Sequence, residues 1–194
     1  MTLWTVQPAT ALDEIRETGR FVCDRSRSFN LTKPDHLDAP YQWLIRQMEE
    51  RIGPRPDGVE YPIWGWHTWE FEHRAPDPDS AAFLTRTEDK AFFTLELPED
   101  QVVLTDFDAW HLIMMDLFIP DPAMTEDEED AFLERYTSLP PAERKLLAQE
   151  TWPRVFETDP IDTPDLTRGK FIQATFWELR DEWIKDVRIL PKEM

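Results

Sequence analysis

Hydrophobic positions fall into short blocks whose period changes along the chain. Thr2 to Gln7 (TLWTVQ) is β-branched and aromatic and ends at Pro8, which predicts a strand with Thr5 and Gln7 on one face. Leu12 and Ile15 follow Thr10, acidic Asp13 and Glu14 occupy the first turn, and Gly19 stands where a left-handed cap would close a short helix. A second apolar stretch covers Arg20 to Cys23. After Asp38 and Pro40, the residues Tyr41, Leu44, Ile45, Met48 and Ile52 recur at helical spacing until Gly53-Pro54 stops them. This is the clearest amphipathic helix in the sequence, and it is expected to pack on the core.

Tyr61 to Trp69 (YPIWGWHTW) predicts an aromatic strand, set between a Gly/Pro loop at 53–58 and a polar loop from Ala75 to Ser80. Ala91 to Leu97 and Gln101 to Thr105 flank Pro98-Glu99-Asp100 in the manner of a hairpin. Asp106 or Asp108 can cap a helix carrying Trp110, Ile113, Met114 and Leu117, which Pro120 and Pro122 close. Thr125 with Glu128 forms a capping-box pattern for an acidic helix through Tyr136, and Pro140-Pro141 opens another through about Glu150. Both are expected at the periphery. After a turn-rich stretch from Thr158 to Gly169, Lys170 to Trp177 and Asp186 to Leu190 read as late strands. The order lacks regular βα alternation, so the expected fold class is α+β, a mixed, mostly antiparallel sheet with inserted helices.

Composition narrows the function classes. The 194 residues carry nine Trp and can bury one core, and no flexible linker divides them, so a single domain over 1–194 is expected. The 40 acidic against 21 basic residues give a net charge of -19, which repels phosphate backbones and anionic lipid. Direct nucleic-acid binding is thereby disfavoured, whereas a basic protein partner would be steered toward the chain. One cysteine, Cys23, excludes an intrachain disulfide framework. With no signal-like N-terminus and no apolar run of membrane length, the reading is cytoplasmic. The five glycines form neither a phosphate loop nor a dinucleotide fingerprint.

Several groupings could carry chemistry. His67, Glu70, Glu72 and His73 are metal-ligand types, but on a strand the histidines and the glutamates would face opposite ways, so no metal is expected. Alternation places Trp64 and Trp66 on one face and His67 with Trp69 on the other. One set belongs to the core and the other can wall a ring-binding pocket. Arg16, Arg20, Arg25 and Arg27, with Lys33, are the main basic cluster, suited either to a nucleotide phosphate or to a solvated face. Ser26, Ser28, Ser80 and Ser138 lack the context of a nucleophile, and Cys23 has no visible base. Near the C-terminus Gln173, Glu178, Asp181 and Glu182 stand among aromatic residues, where a carboxylate could be desolvated into an acid or an electrostatic partner.

Four stretches, LWTVQP at 3–8, YQWLIRQMEERIGPRPDGVEYPIWGW at 41–66, LTDFDAWH at 104–111 and IQATFWELRDEWIKDVR at 172–188, together resemble a bacterial family designated a domain of unknown function, number thirty-eight forty-one. That resemblance implies no particular activity. The succession LWTVQ, helix ending at Gly19, YPIWGW and FIQATFW followed by IKDVRIL also resembles the ADP-ribosyltransferase-like superfamily. This second likeness implies a split mixed sheet clasping NAD or a related nucleotide. Thr5 and Gln7 would then contact the ligand from the first strand, Trp64 or Trp66 would flank the nicotinamide, and Arg20 and Arg25 would meet its phosphates. Gln173 stands where the superfamily's late strand usually begins with a catalytic Glu. Either Glu178, five residues on, substitutes in transferring ADP-ribose, or the scaffold binds without catalysing. The rival expectation is a non-enzymatic acidic module that binds a basic protein partner, such as a toxin or a nucleic-acid-binding protein.

Overall fold

The computed structural model describes residues 1–27, 37–79, 88–163 and 166–192; Ser28, Lys33 and Ser80 lie outside them. In chain order the elements are β1 (Thr2–Pro8), α1 (Ala11–Thr18), β2 (Arg20–Val22), α2 (Asp38–Ile52), β3 (Ile63–Trp69), β4 (Lys90–Glu96), β5 (Val103–Asp106), α3 (Phe107–Met114), α4 (Glu126–Ser138), α5 (Pro141–Thr151), β6 (Ile161–Asp162), β7 (Thr167–Arg168), β8 (Phe171–Phe176), β9 (Glu178–Arg180) and β10 (Ile184–Leu190). Six strands form one sheet in the order β10-β4-β1-β3-β8-β5, and every pair in it is antiparallel. The α+β class holds, with a sheet that is antiparallel rather than mixed.

Period-two alternation gives each face of this sheet its own core. One face carries Leu3, Ile63, Phe93, Leu95, Ala174 and Phe176, on which α1 lays Ala11 and Ile15. The short β2–β9 pair adds Phe21 and Leu179 to the same layer. The opposite face meets α2 through Tyr41, Leu44, Ile45 and Met48, and α3 through Ala109, Trp110 and Ile113. Trp152, fully buried, completes that layer and donates its indole N–H to the Leu117 carbonyl at 3.1 Å. The stripe on α2 thus packs as its spacing predicts. Gly19 closes α1 at φ 83°, a conformation in which a Cβ would be strained. Thr125 and Glu128 form the full capping box of α4. The helices α4 and α5 meet in a small separate cluster around Tyr136, Leu147 and Ala148, in keeping with their expected peripheral place.

The predicted hairpin between 91–97 and 101–105 does not form. β4 has β1 on one side and β10 on the other, while β5 lies at the far edge beside β8. Local turn residues at Pro98 to Asp100 instead make a 3-10 turn at Glu99–Gln101 that leads the chain across the sheet. β3 also departs from simple alternation. Trp66 pairs with Gln173, yet Thr68 pairs with Ile172, so His67 is an extra residue in a bulge. Trp69 consequently returns to the face of Trp64 and Trp66, where alternation alone would have placed it opposite.

Candidate functional site

The crevice expected between the first strand and the late strand is absent, because β3 lies between β1 and β8 and hydrogen-bonds to both. This divides the residues nominated from the sequence. Thr5, 1% exposed, donates its hydroxyl to the Trp64 carbonyl at 2.6 Å and accepts the Gln7 amide at 2.8 Å. Both side chains lie on the α1 face of the sheet and tie β1 to β3. Trp64, Trp66 and Gln173 project from the other face, so Thr5 and Gln7 do not share a pocket with them.

The basic residues are engaged elsewhere. Arg20 donates to Glu178 Oε2 at 2.7 Å and to the Asp57 carbonyl at 3.1 Å. Arg25 donates to the Asp38 carboxylate at 3.1 Å and to the Tyr61 hydroxyl at 3.3 Å. Arg16 meets Asp13 at 3.4 Å. Pairing of β2 with β9 sets Arg20 opposite Arg180, and Glu178 separates the like charges, its second oxygen taking Arg180 at 2.7 Å. Burial acts to raise the Glu178 pKa, but hydrogen bonds from Arg20 and Arg180 outweigh it and hold the carboxyl below its ordinary value. With its side chain 4% exposed and both oxygens held by guanidinium groups, Glu178 serves an ion-pair bridge. Both oxygens of the residue expected to be catalytic are thus engaged by arginines, and Arg20 and Arg25 each hold a carboxylate.

A different grouping forms on the α3 face, built by the strand register. Gln173 sits directly between Trp66 on β3 and Thr105 on β5. Cross-strand neighbours of this kind stand about 5 Å apart at Cβ. Around them, Trp66 meets Trp69 edge-on at 4.9 Å and Phe107 at 5.3 Å, Trp69 meets Phe171 at 4.9 Å, and Phe107 meets His111 at 4.3 Å. All five of these rings are half-buried. The His67 bulge makes the cluster continuous by returning Trp69 to Trp66. Trp64 is instead part of the core, between Tyr41 and Trp110 at 6.2 and 5.1 Å.

On the same face of the sheet, some buried polar atoms are left unpartnered by the described residues. Gln173 Oε1 is buried without a hydrogen bond, as are the hydroxyl of fully buried Thr105 and the Trp64 indole N–H. Each such group costs about 1–3 kcal/mol when left unmet. Buried polar groups are mostly paired in folded proteins, so the two on facing register positions, Gln173 and Thr105, are the polar groups of this patch that a bound molecule or a water could satisfy.

Asp106 holds the frame of this patch. One carboxylate oxygen accepts the Ala109 N–H at 2.9 Å, capping α3, and the other accepts Gly169 N–H at 2.7 Å, fixing the turn into β8. Burial raises its pKa, while these two backbone hydrogen bonds lower it; burial prevails. The same residue therefore sets Phe107 on α3 and Phe171 on β8. Sequence reading named Asp106 only as a cap, and it missed Thr105, Phe107, His111 and Phe171. Phe107 and His111 are four apart, the spacing that brings ring neighbours together on a helix, and that signal was available.

The histidines come together through a turn. Glu70 and Phe71 adopt positive φ values of 54° and 65°, folding the chain back so that His73 meets His67 with ring centroids 4.3 Å apart. His73 Nδ1 donates to the His67 carbonyl at 2.7 Å. Burial, then His73, depresses the His67 pKa below its ordinary value. Glu70 and Glu72 turn to Arg74. Among the described residues no group of three or more His, Cys, Asp or Glu side chains is arranged to hold a metal ion. Nor does any described helix have the length and apolarity to cross a membrane.

No curated protein and no solved structure matches the chain. What does match, over residues 2–185 and hence across both core layers, the Gln173 patch and the Glu178 bridge, is the domain of unknown function DUF3841, and the chain belongs to that family.

Proposed function

We propose that the protein binds a planar, ring-bearing small molecule of the nucleoside or nucleotide class on the α3 face, the ring stacking against Trp66 and its polar edge meeting Gln173 and Thr105. One observation carries this reading: the buried, unpartnered Gln173 oxygen and Thr105 hydroxyl lie at facing register positions, beside half-buried Trp66. Ring stacking supplies affinity with little demand on sequence of contacts, and an amide beside a hydroxyl distinguishes one heterocycle edge from another. NAD fits this class through its nicotinamide and adenine rings. The proposal is one of binding. Transfer of ADP-ribose would need a carboxylate free to support a cationic transition state, and the geometry of Glu178 gives no support to that step. Arg20 and Arg25 are paired with carboxylates, so ring recognition outweighs phosphate recognition in this reading. A reducing, cytoplasmic setting rich in such metabolites suits a chain with one cysteine.

Isothermal titration with NAD, nicotinamide and adenosine in separate runs tests it. Saturable heat with at least one, weakened about tenfold by Gln173→Ala, supports the site. Flat traces with all three at millimolar concentration would remove the reading.

A further inference from the structure

Between His111 and Phe171 in the sequence, side chains from Phe118 to Thr163 together with Leu166 line a cleft of about 770 Å³. That lies within the range of ligand-binding sites. Its apolar lining includes Phe118, Ile119 and Phe132, with Met124 exposed at the rim. Its wall along α4 is acidic. Positions 126, 129, 130 and 133 follow the i, i+3, i+4, i+7 spacing that gathers side chains on one side of a helix. They are Glu126, Glu129, Asp130 and Leu133; all four line the cleft, and the three carboxylates are exposed.

The cations around the cleft do not neutralise these side chains. Arg154 is paired with Asp121 and with Glu157, and Arg168 meets Glu157 at 2.5 Å. Among the described residues no Lys or Arg forms an ion pair with Glu126, Glu129 or Asp130. Glu126 stands three and four residues from Glu129 and Asp130, the spacing at which like charges on a helix repel one another. A cationic occupant would relieve that repulsion.

We propose that this cleft docks a basic segment of a protein partner, which sets an apolar side chain against Phe118 and Phe132 while its Lys or Arg side chains meet the α4 carboxylates. Charge complementarity chooses this occupant. A chain of net charge -19 steers cations toward itself, and the cleft pairs carboxylates with an apolar floor, the combination that a peptide of mixed basic and apolar residues satisfies. The proposal stands apart from ring binding at Trp66, since none of that patch lines the cleft.

Fluorescence anisotropy of the full chain with a labelled peptide alternating Arg and Leu provides the test, with spermine as competitor and a Glu/Leu peptide as control. Binding of the basic peptide is expected to weaken at least tenfold in the triple variant Glu126→Lys, Glu129→Lys, Asp130→Lys. It should change less than twofold when Glu17, Glu99 and Asp100, none of which lines the cleft, are changed to Lys. Equal weakening in both triple variants would overturn the proposal in favour of a diffuse field. Displacement by spermine at the peptide's own concentration would overturn it in favour of a small polycation. Should the first variant fail to fold, carbodiimide coupling of an Lys/Leu peptide to the unmodified protein decides: cross-links on α4 support the cleft, and cross-links confined to other carboxylates refute it.

Discussion

Two polar regions of this molecule treat buried hydrogen-bonding groups in opposite ways. At the β2–β9 pair a carboxylate is enclosed and fully matched, Glu178 receiving Arg20 on one oxygen and Arg180 on the other. On β8, in the six-stranded sheet, the Oε1 of neutral Gln173 is buried and unmatched, beside an equally unmatched Thr105 hydroxyl. The charged group resembles chemistry and performs architecture. The neutral one resembles packing and is the acceptor on which the proposed ring binding rests. The state of the hydrogen bonds, rather than charge, is what separates the two regions.

The contrast can be broken most strongly through the residue that frames the open side. Asp106→Ala removes the α3 cap and leaves the Gly169 N–H buried without an acceptor. The expected loss is about 3 kcal/mol in urea unfolding, with ring binding weakened as Phe107 and Phe171 lose their common anchor. Glu178→Gln should cost about 2 kcal/mol, because two half-exposed guanidinium groups remain and can hydrate, and it should leave titrations with ring ligands unchanged. An effect on affinity as large as that of Gln173→Ala would show that the two regions act together. Gln173→Leu is expected to keep stability within about 1 kcal/mol of the parent, since it removes an unmet acceptor, while abolishing measurable binding.

Acid titration gives the smallest and most discriminating effect. The folded-state pKa of Glu178 lies below its unfolded value, so the bridge stabilises fully above the ordinary carboxylate range and that stability is lost as pH falls through the depressed folded value. The stability gap between parent and Glu178→Gln should consequently close on acidification. Asp106 has the reverse sign: its raised folded value means that ionisation disfavours the fold, so its contribution declines as pH rises through that value. A gap for Glu178→Gln that stays constant down to the acid limit would contradict the paired geometry.

Elements decided within one turn were legible in the sequence. The α2 stripe, the Gly19 cap and the Thr125–Glu128 box each rest on residues a few positions apart, and each has its predicted form. Strand partners were not legible, because β4 chooses β1 and β10 over the nearby β5 through contacts remote in sequence. The bulge at His67 was hidden for a related reason. No Gly announces it, and the positive φ angles that follow fall on Glu70 and Phe71, residue types that give no warning. Its effect was to reverse the face of Trp69, while the turn at Glu70 and Phe71 brings the His73 ring onto His67. Of the nominated site, Trp66 and Gln173 lie side by side, whereas the partners of Glu178 include an arginine 158 residues upstream that no local pattern could supply.

The outermost strand β10 has one further consequence. Its register slips between Ile184 and Asp186, and Lys185, Asp186 and Arg188 alternate charge along the border of the sheet. A kinked margin studded with ions is a poor template for a neighbouring chain, which would have to desolvate those groups to add itself on. The protein thereby resists runaway stacking into fibrils along this border, even with nine tryptophans in its sequence.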